Sequence, residues 1–274
     1  MRDTAEAAIN PPQPRDYAGF NWTGFRTLYL REVRRFWKVG MQTVAAPVVT
    51  TLLYMMVFVV AVGATRQPVE GTAFGTFVAP GLIMMAILNN AFANSSSSLL
   101  QAKMMGLTPD FLTPPLSALE QVLAFTLGAA TRGVVVGAVT AITILFLPFT
   151  DLTIAHPWAV LYFGIGASLL LGLVGVVTGL WSEKFDHLAG ITNFIIMPMT
   201  FLSGTFYLVD KLPEPFRSAS HYNPFFYLID GFRYGFIGHA DGNLGVGMAL
   251  TAALVVVLFA ACWRIFVTGW RLKT

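Results

Sequence analysis

Charged residues are scarce in this chain of 274 residues. Lys, Arg, Asp and Glu make up 11% of the sequence and hydrophobic residues 55%, whereas a soluble globular domain is about 25% charged. With so few groups that water solvates, most of the surface must face lipid. Cysteine is nearly absent: Cys262 is the only one, which excludes an intrachain disulfide and gives no signal about the redox compartment.

Patterns typical of catalytic and nucleotide-binding sites are absent too. The four histidines are scattered without the paired spacing of a metal site, and no nucleophile motif occurs. The chain has no Gly-x-x-x-x-Gly-Lys-Ser/Thr phosphate loop, so we do not expect it to bind ATP, and any driving energy must come from another subunit. No Asp or Glu lies well inside an apolar stretch, which argues against an ion-coupled carrier.

Six apolar stretches have the length of a membrane span, which takes about 20 residues. They lie at Val44–Ala64, Phe74–Leu100, Leu119–Leu147, Pro157–Trp181, Leu188–Val209 and Leu244–Val267. Unpaired backbone groups are too costly in hydrocarbon and the alternation of a membrane barrel is missing, so each stretch is expected to be a helix. The predicted fold is an all-α membrane protein with a disordered segment at 1–21, an amphipathic helix at 22–40 and one transmembrane domain at 41–274.

The segment Trp22–Val39 has the pattern of an amphipathic helix. One stripe at helical spacing holds Trp22, Phe25, Tyr29, Val33 and Phe36, and another holds Arg31, Arg34, Arg35 and Lys38. Such a helix suits the cytoplasmic membrane interface, with its basic face toward anionic lipid. The alternative is a cytosolic helix packed on a protein partner.

Basic residues set the expected orientation. The segment before the first span carries seven Lys and Arg residues, whereas the loop after that span carries only Arg66 and the loop after the third carries none. The positive-inside rule therefore places both termini in the cytoplasm. No removable signal peptide is expected, and the first span should act as its own insertion signal. The segment 210–243 then lies outside.

The cytoplasmic loop at 101–118 is expected to hold one short helix. Thr108 can cap this helix, Pro109 suits its first turn, and Asp110 lies near its positive end. Two prolines stop it, and a Ser-x-x-Glu capping box then opens the third span. The alternative is a plain connector with good turn chemistry.

The outer segment at 210–243 is too apolar for a free loop and too short to span. Gly204 is expected to break the fifth helix before it, and Asn223 to begin another helix on which Asp230 and Arg233 are spaced to pair. Two re-entrant half-helices in the outer leaflet fit this pattern. The alternative is a folded external cap that contacts only protein.

Arg132 lies well inside the third apolar stretch. A cation there costs about 2.5 kcal/mol or more, so we expect a structural role in which Arg132 reaches the inner interface or pairs with Glu183 or Asp186. The alternative is a role in gating. Glycines spaced for close helix contact lie at Gly133, Gly137, Gly175 and Gly179.

Several residues occur in the order typical of one family. They are Gly106, Leu112, Thr113, Pro115, Leu116, Ser117, Glu120, Arg132 and Gly133 in the first half, and Leu202, Ser203, Gly204, Asn223, Pro224, Asp230 and Arg233 in the second. From about Trp22 to the C-terminus, the chain resembles the membrane subunit of type-2 ATP-binding-cassette exporters. These move drugs, polysaccharides, nodulation factors or lipids out of bacteria.

The resemblance implies a permease of the bacterial inner membrane that exports a lipid, a lipid-linked glycan or an amphipathic drug. It also implies a coupling helix in an ATPase groove, and its candidate residues are Gly106, Thr108, Asp110, Phe111 and Leu112, with Phe111 and Leu112 as an apolar tip. The implied partners are two copies of a separate ATPase that holds ATP and Mg, a second copy of the permease, and membrane lipid. Neither a cofactor in this chain nor a nucleic-acid partner is expected. The alternative is a membrane-embedded enzyme that modifies a lipid or glycan.

Polar residues in two spans are candidates for the translocation path. They are Asn90, Asn94 and Ser97 in the second span and Asn193, Thr200 and Ser203 in the fifth. In the resembled family these two helices face the partner protomer and frame the path. The alternative role of these side chains is to join helices by hydrogen bonds.

Overall fold

A computed structural model describes residues 19–62, 71–147 and 150–272, and these form helices without a strand. The helices are α1 (Trp22–Lys38), α2 (Ala46–Met56), α3 (Phe74–Met104), α4 (Pro109–Leu112), α5 (Ala118–Leu145), α6 (Pro157–Trp181), α7 (Phe185–Ile191), α8 (Met197–Phe201), α9 (Phe216–Tyr222), α10 (Pro224–Ile237) and α11 (Leu244–Thr268). π-Helical segments at Met41–Ala45 and Val57–Val62 flank α2, a third at Thr192–Ile196 joins α7 to α8, and a 3₁₀ turn lies at Val209–Lys211. The expected all-α fold is confirmed.

α3 is the central helix of the fold. It packs against both α5 and α6, and 89% of its most apolar stretch is buried inside the protein. The corresponding share is 22% for the helix that contains α2 and 11% for α11. α3 is therefore a core helix that is buried on nearly every side, whereas α2 and α11 present most of their side chains to lipid or to a partner.

Glycines let α3 approach α5 and α6 closely. A Cβ at Gly175 of α6 would lie 2.2 Å from Ser95 Oγ and 2.6 Å from the Phe92 carbonyl oxygen of α3. A Cβ at Gly137 of α5 would lie 2.4 Å from the Ile87 side chain. The close helix contacts expected from the glycine spacing are therefore present.

Gly175→Ala is expected to destabilise the protein by about 1–3 kcal/mol, because the added methyl group overpacks the contact with α3. Gly190→Ala in α7 is the matched control, since a Cβ there has no atom within 4 Å, and Ala forms helix better than Gly. Thermal unfolding of the purified protein measures both. Equal midpoints for the two variants would contradict the close approach.

Five helices in the described part of the chain are long and apolar enough to cross a membrane. They are Met41–Val59, Phe74–Met104, Ala118–Leu145, Pro157–Trp181 and Leu244–Thr268. Each corresponds to one of the six predicted spans, with ends that differ by a few residues.

The remaining predicted span, 188–209, is shorter than expected. Its helix comprises α7, the π-helical segment and α8, which together hold 17 residues, the lower limit for a crossing. The predicted break is present, because Gly204 adopts a φ of +76°, a conformation that favours glycine. The helix already ends at Phe201, so the outer part of the predicted span is a turn.

Candidate functional site

The loop between α3 and α5 holds a single turn of helix, α4. α3 continues to Met104, beyond its predicted end at Leu100, and Gly106 then turns the chain with a φ of +67°. Thr108 precedes α4 as predicted, but its side chain makes no capping hydrogen bond. The predicted compact helix is therefore present, and Pro109 in its first turn starts it without the hydroxyl cap.

Phe111 is buried, which corrects the prediction that it forms an exposed tip. Only 1% of its surface is accessible. Its ring packs edge-on against Phe125 of α5, with 5.4 Å between centroids, and the Arg31 guanidinium of α1 lies 5.8 Å from its centroid. The sequence pattern does not determine the direction of a side chain in a one-turn helix. Phe111 fastens α4 to the protein and is not available to a partner.

The exposed part of this loop is apolar and carries one acid. Met104, Met105, Leu107 and Leu112 are 36–61% exposed, and Asp110, also exposed, donates its backbone N–H to the Leu107 carbonyl. We call these five residues the loop surface. The sequence analysis named Leu112 and Asp110 as candidates but did not name the other three, although all three lie in the predicted loop. Exposed apolar patches of this kind mark interaction sites, and Met adapts well to such surfaces.

Glu120 ties the loop to the start of α1. It accepts a 2.7 Å hydrogen bond from the Ser117 backbone N–H, while Ser117 Oγ accepts from the Glu120 N–H, which completes the predicted capping box. Its other oxygen accepts from the backbone N–H of Asn21, whose side chain donates to the Pro115 carbonyl. The predicted disorder at 1–21 is therefore wrong for Asn21, and most of that segment lies outside the described residues.

α1 turns part of its basic stripe toward the protein. Glu32 is 1% exposed and pairs with Arg31 at 3.2 Å and with Arg35 at 3.4 Å. Arg35 also donates to the Asn94 carbonyl of α3 at 2.6 Å. The prediction that the whole basic face points toward lipid is therefore wrong, because the buried Glu32 carboxylate attracts two arginines toward the protein. Arg31 nevertheless stays 40% exposed, and the other two basic residues of the stripe, Arg34 and Lys38, are exposed as well.

Arg132 has a neutral partner. Its Nη2 donates to Asn90 Oδ1 at 3.0 Å, which joins α5 to α3. Among the described ion pairs, Glu183 instead pairs with Arg271 at 3.6 Å, and Asp186 lies in the first turn of α7. The predicted pairing of Arg132 with either acid is therefore wrong, because the chain after α11 returns to the end of α6 and supplies the cation there.

The residues predicted for a translocation path do not share one surface. Asn94 and Ser97 both contact an arginine of α1. Thr200 is buried and its hydroxyl donates to a carbonyl of its own helix. Ser203 lies in the turn after α8, and Asn193 is exposed on the π-helical segment.

A cleft of about 330 Å³ opens between α2, α3 and α8, and half of its lining residues are polar; we call it the polar cleft. The polar residues that line it are Gln42, Thr50, Thr51, Tyr54, Asn89 and Asn90, and its lining includes no charged residue. Of the predicted path residues, only Asn90 lies there. Two cleft residues that the sequence analysis missed could have been predicted. Thr50 and Tyr54 of the first span are four residues apart and so share a helix face.

Side chains cap the open end of α8. The last carbonyls of a helix have no partner within it. Asn223 Nδ2 donates to the Met199 carbonyl at 2.8 Å, and Ser220 Oγ donates to the Leu202 carbonyl at 3.1 Å. Two hydroxyls of the turn itself satisfy two more carbonyls. Asn223 also caps the start of α10 by accepting from the Phe225 N–H, so it links the two helices.

Arg233 completes this capping from α10. Its side chain is buried, Nη2 donates to the Gly204 carbonyl, and the guanidinium lies 4.2 Å from the centroid of the Phe77 ring of α3. Through Asn223 and Arg233, the motif around Arg233 therefore contacts the motif around Ser203. Both side chains donate to carbonyl groups at the end of α8 or in the turn after it.

The predicted pairing of Asp230 with Arg233 does not form. Its carboxylate accepts from the backbone N–H groups of Asp241 and Gly242, both at 2.9 Å. The spacing placed acid and base on one helix face, but backbone groups on either side provide the partners. Burial raises the pKa of the Asp241 carboxyl, and the nearby Asp230 charge raises it further.

Asn223→Ala is expected to destabilise the protein more than Asn243→Ala. Asn243 caps α11 by accepting from the Val246 N–H, but it is exposed. Losing either cap costs about 1 kcal/mol. The Asn223 variant also removes the hydrogen bonds that its Nδ2 donates to the Met199 carbonyl and to Ser203 Oγ, which adds about 0.5–1.5 kcal/mol for each bond. Thermal unfolding compares the two, and equal losses would contradict the capping role.

The sequence pattern of the family described as ABC-2 type transporter matches residues 23–237, from the start of α1 to the end of α10. The chain is similar to the inner membrane transport permease YadH of Escherichia coli (strain K12), with 31% identity over 255 residues, 92% of this chain and 98% of YadH. It is also similar to nodulation protein J of Rhizobium leguminosarum bv. viciae, with 22% identity over 246 residues, 88% of this chain and 92% of that protein.

Proposed function

The chain belongs to the ABC-2 type transporter family, and from this premise we propose that it is the non-catalytic membrane subunit of an ATP-driven exporter. We propose that the complex moves a lipid, a lipid-linked glycan or an amphipathic drug outward across the bacterial inner membrane. Two copies of this permease and two copies of a separate ATPase would form it, with ATP and Mg on the ATPase. The proposal rests mainly on the loop surface, which the buried side chain of Phe111 fastens to the rest of the protein.

The loop surface supports docking of the ATPase. Its apolar side chains are exposed beside Asp110, while Phe111 is buried beneath them. A force applied to α4 would pass through Phe111 to α5, and through Arg31 to α1. The Glu120 contact with Asn21 closes the same assembly from the other side. ATPase closure would therefore move these helices as one rigid body.

The polar cleft supports a cargo path between two copies of the permease. Polar groups at hydrocarbon depth must face protein or water, and the cleft opens beside α2, which has few contacts within the chain. Phe194, near α8, is 84% exposed on the described chain. A second copy placed against α2 and α8 would cover both features and enclose the cleft.

Leu112→Ser and Asp110→Lys are expected to weaken co-purification with the ATPase and cargo-stimulated ATP hydrolysis while leaving insertion intact, because both side chains are exposed. Leu119→Ser is the matched control, since Leu119 is similarly exposed but lies at the start of α5. Phe111→Ala should behave differently. Truncating a buried Phe costs about 3–5 kcal/mol of stability, so this variant should be unstable even without the ATPase.

The decisive measurements are the ATPase retained on the purified permease and the stimulated hydrolysis rate. Wild-type values of both in Leu112→Ser and Asp110→Lys would exclude the loop surface and direct attention to α1. A loss in Leu119→Ser equal to that in Leu112→Ser would mean that the effect is not specific to the loop.

The proposed orientation places both termini and the loop surface in the cytoplasm, with α9 and α10 dipping into the outer leaflet. Cysteines introduced at Asp151 and Lys211 should react with an impermeant reagent added to intact cells. Cysteines introduced at Thr27 and Thr113 should react only after lysis. All four side chains are exposed and the native Cys262 is buried, so reactivity reports the side of the membrane. Labelling of Thr27→Cys in intact cells would reverse the assignment.

A further inference from the structure

A continuous apolar furrow runs along the seam between α5 and α6. It consists of two cavities, one of about 410 Å³ beside α1 and one of about 290 Å³ beside α10. The cavities meet at Val134 and Ile165, which line both. The furrow shares no lining residue with the polar cleft, so it lies apart from the proposed cargo path.

The furrow has the length of the hydrocarbon core of a bilayer. Along α5 its lining begins at Leu127 and ends at Leu145, which corresponds to about 27 Å of helix at 1.5 Å per residue. The hydrocarbon core is about 30 Å thick. Phe25 and Tyr29 of α1 line one end and Phe236 of α10 lines the other.

The lining suits a hydrocarbon chain rather than water. Its side chains are aliphatic or aromatic apart from Tyr29 and Thr131. These two hydroxyls satisfy each other at 2.9 Å. Water needs two to four polar partners, and this lining does not offer them, so an apolar occupant is favoured.

Charge distinguishes the two ends of the furrow. At the α1 end, Arg26 is exposed, directly follows Phe25 and precedes Tyr29 by three positions, so its side chain neighbours the lining on the helix surface. At the other end, the lining residue Leu152 follows the exposed acid Asp151. An anionic group is therefore attracted to the α1 end and repelled from the other.

We infer that the furrow binds a phospholipid of the leaflet on the α1 side, with its anionic headgroup held by Arg26 of α1 and an acyl chain that runs along the α5–α6 seam from the α1 end into the junction at Val134. The lipid is a resident of the protein and not its cargo, because it occupies a surface separate from the cleft. One basic residue close to the membrane gives an anionic lipid a preference of about fivefold.

The test uses the full chain in vesicles of equimolar phosphatidylglycerol and phosphatidylethanolamine with identical acyl chains. The protein is extracted in mild detergent, and native mass spectrometry counts the retained phospholipids and identifies their headgroups. Val134→Trp fills the junction of the two cavities and should lose the retained lipid. Val139→Trp is the matched control on the same helix, since Val139 is similarly exposed but lines neither cavity, and it should keep the lipid.

A second pair of variants tests the headgroup without disturbing packing. Arg26→Gln should abolish the roughly fivefold preference for phosphatidylglycerol, whereas Arg34→Gln, exposed on another face of α1, should retain it. Equal retention by Val134→Trp and Val139→Trp would overturn the site. A wild-type protein without headgroup preference would overturn the anionic assignment. A change of oligomeric state in Val134→Trp alone would make the furrow a contact between copies, and would also overturn it.

Discussion

Helix ends at membrane depth are the constraint on which this structure depends. The last carbonyl groups of a helix have no internal partner, and each one left unpaired in hydrocarbon costs several kcal/mol. The chain meets this constraint with its few polar side chains. Lys103 donates to the carbonyls of Leu180 and Ser182 at the end of α6, and Arg271 donates to that of Trp181. The turn after α8 is closed in the same way from α9 and α10. Among these capping cations Arg233 is buried, so a composition with little charge still places a cation inside the protein.

The protein has a rigid part and a loosely packed part. Salt bridges, ring contacts and the capping box join α1, α4 and α5 to the buried helix α3. In contrast, the helices around α2 and α8 have few contacts, and the π-helical segments of the described chain occur there. Such segments often accompany functional sites. The cleft lies between the two parts, where the second can shift against the first with little loss of packing.

The sequence predicted what depends on composition and spacing, and missed what depends on tertiary direction. Apolar length located five helices, and glycine spacing located the contact at Gly175. The capping box at Ser117 followed from local chemistry alone. The partner of Arg132 and the inward turn of Arg35 did not follow, because an arginine side chain is long enough to reach several elements. Asp230 and Arg233 likewise have the spacing of an ion pair, but each of them binds backbone groups of another segment instead.

The burial of Phe111 bears on how an exporter of this design could transmit force. A coupling helix must adhere to its own membrane domain more strongly than to the ATPase, or closure of the ATPase would detach it. Full burial of a Phe side chain contributes about 1.5–3 kcal/mol, and a hydrogen bond to a buried charge such as Glu120 about 1.5–3 kcal/mol more. Leu112 and the other apolar side chains of the loop surface are already partly covered, so each has less area left to bury against a partner. If the ATPase docks on the loop surface as proposed, the strong contacts of α4 are those within this chain, and the ATPase could release after each cycle without pulling the loop apart.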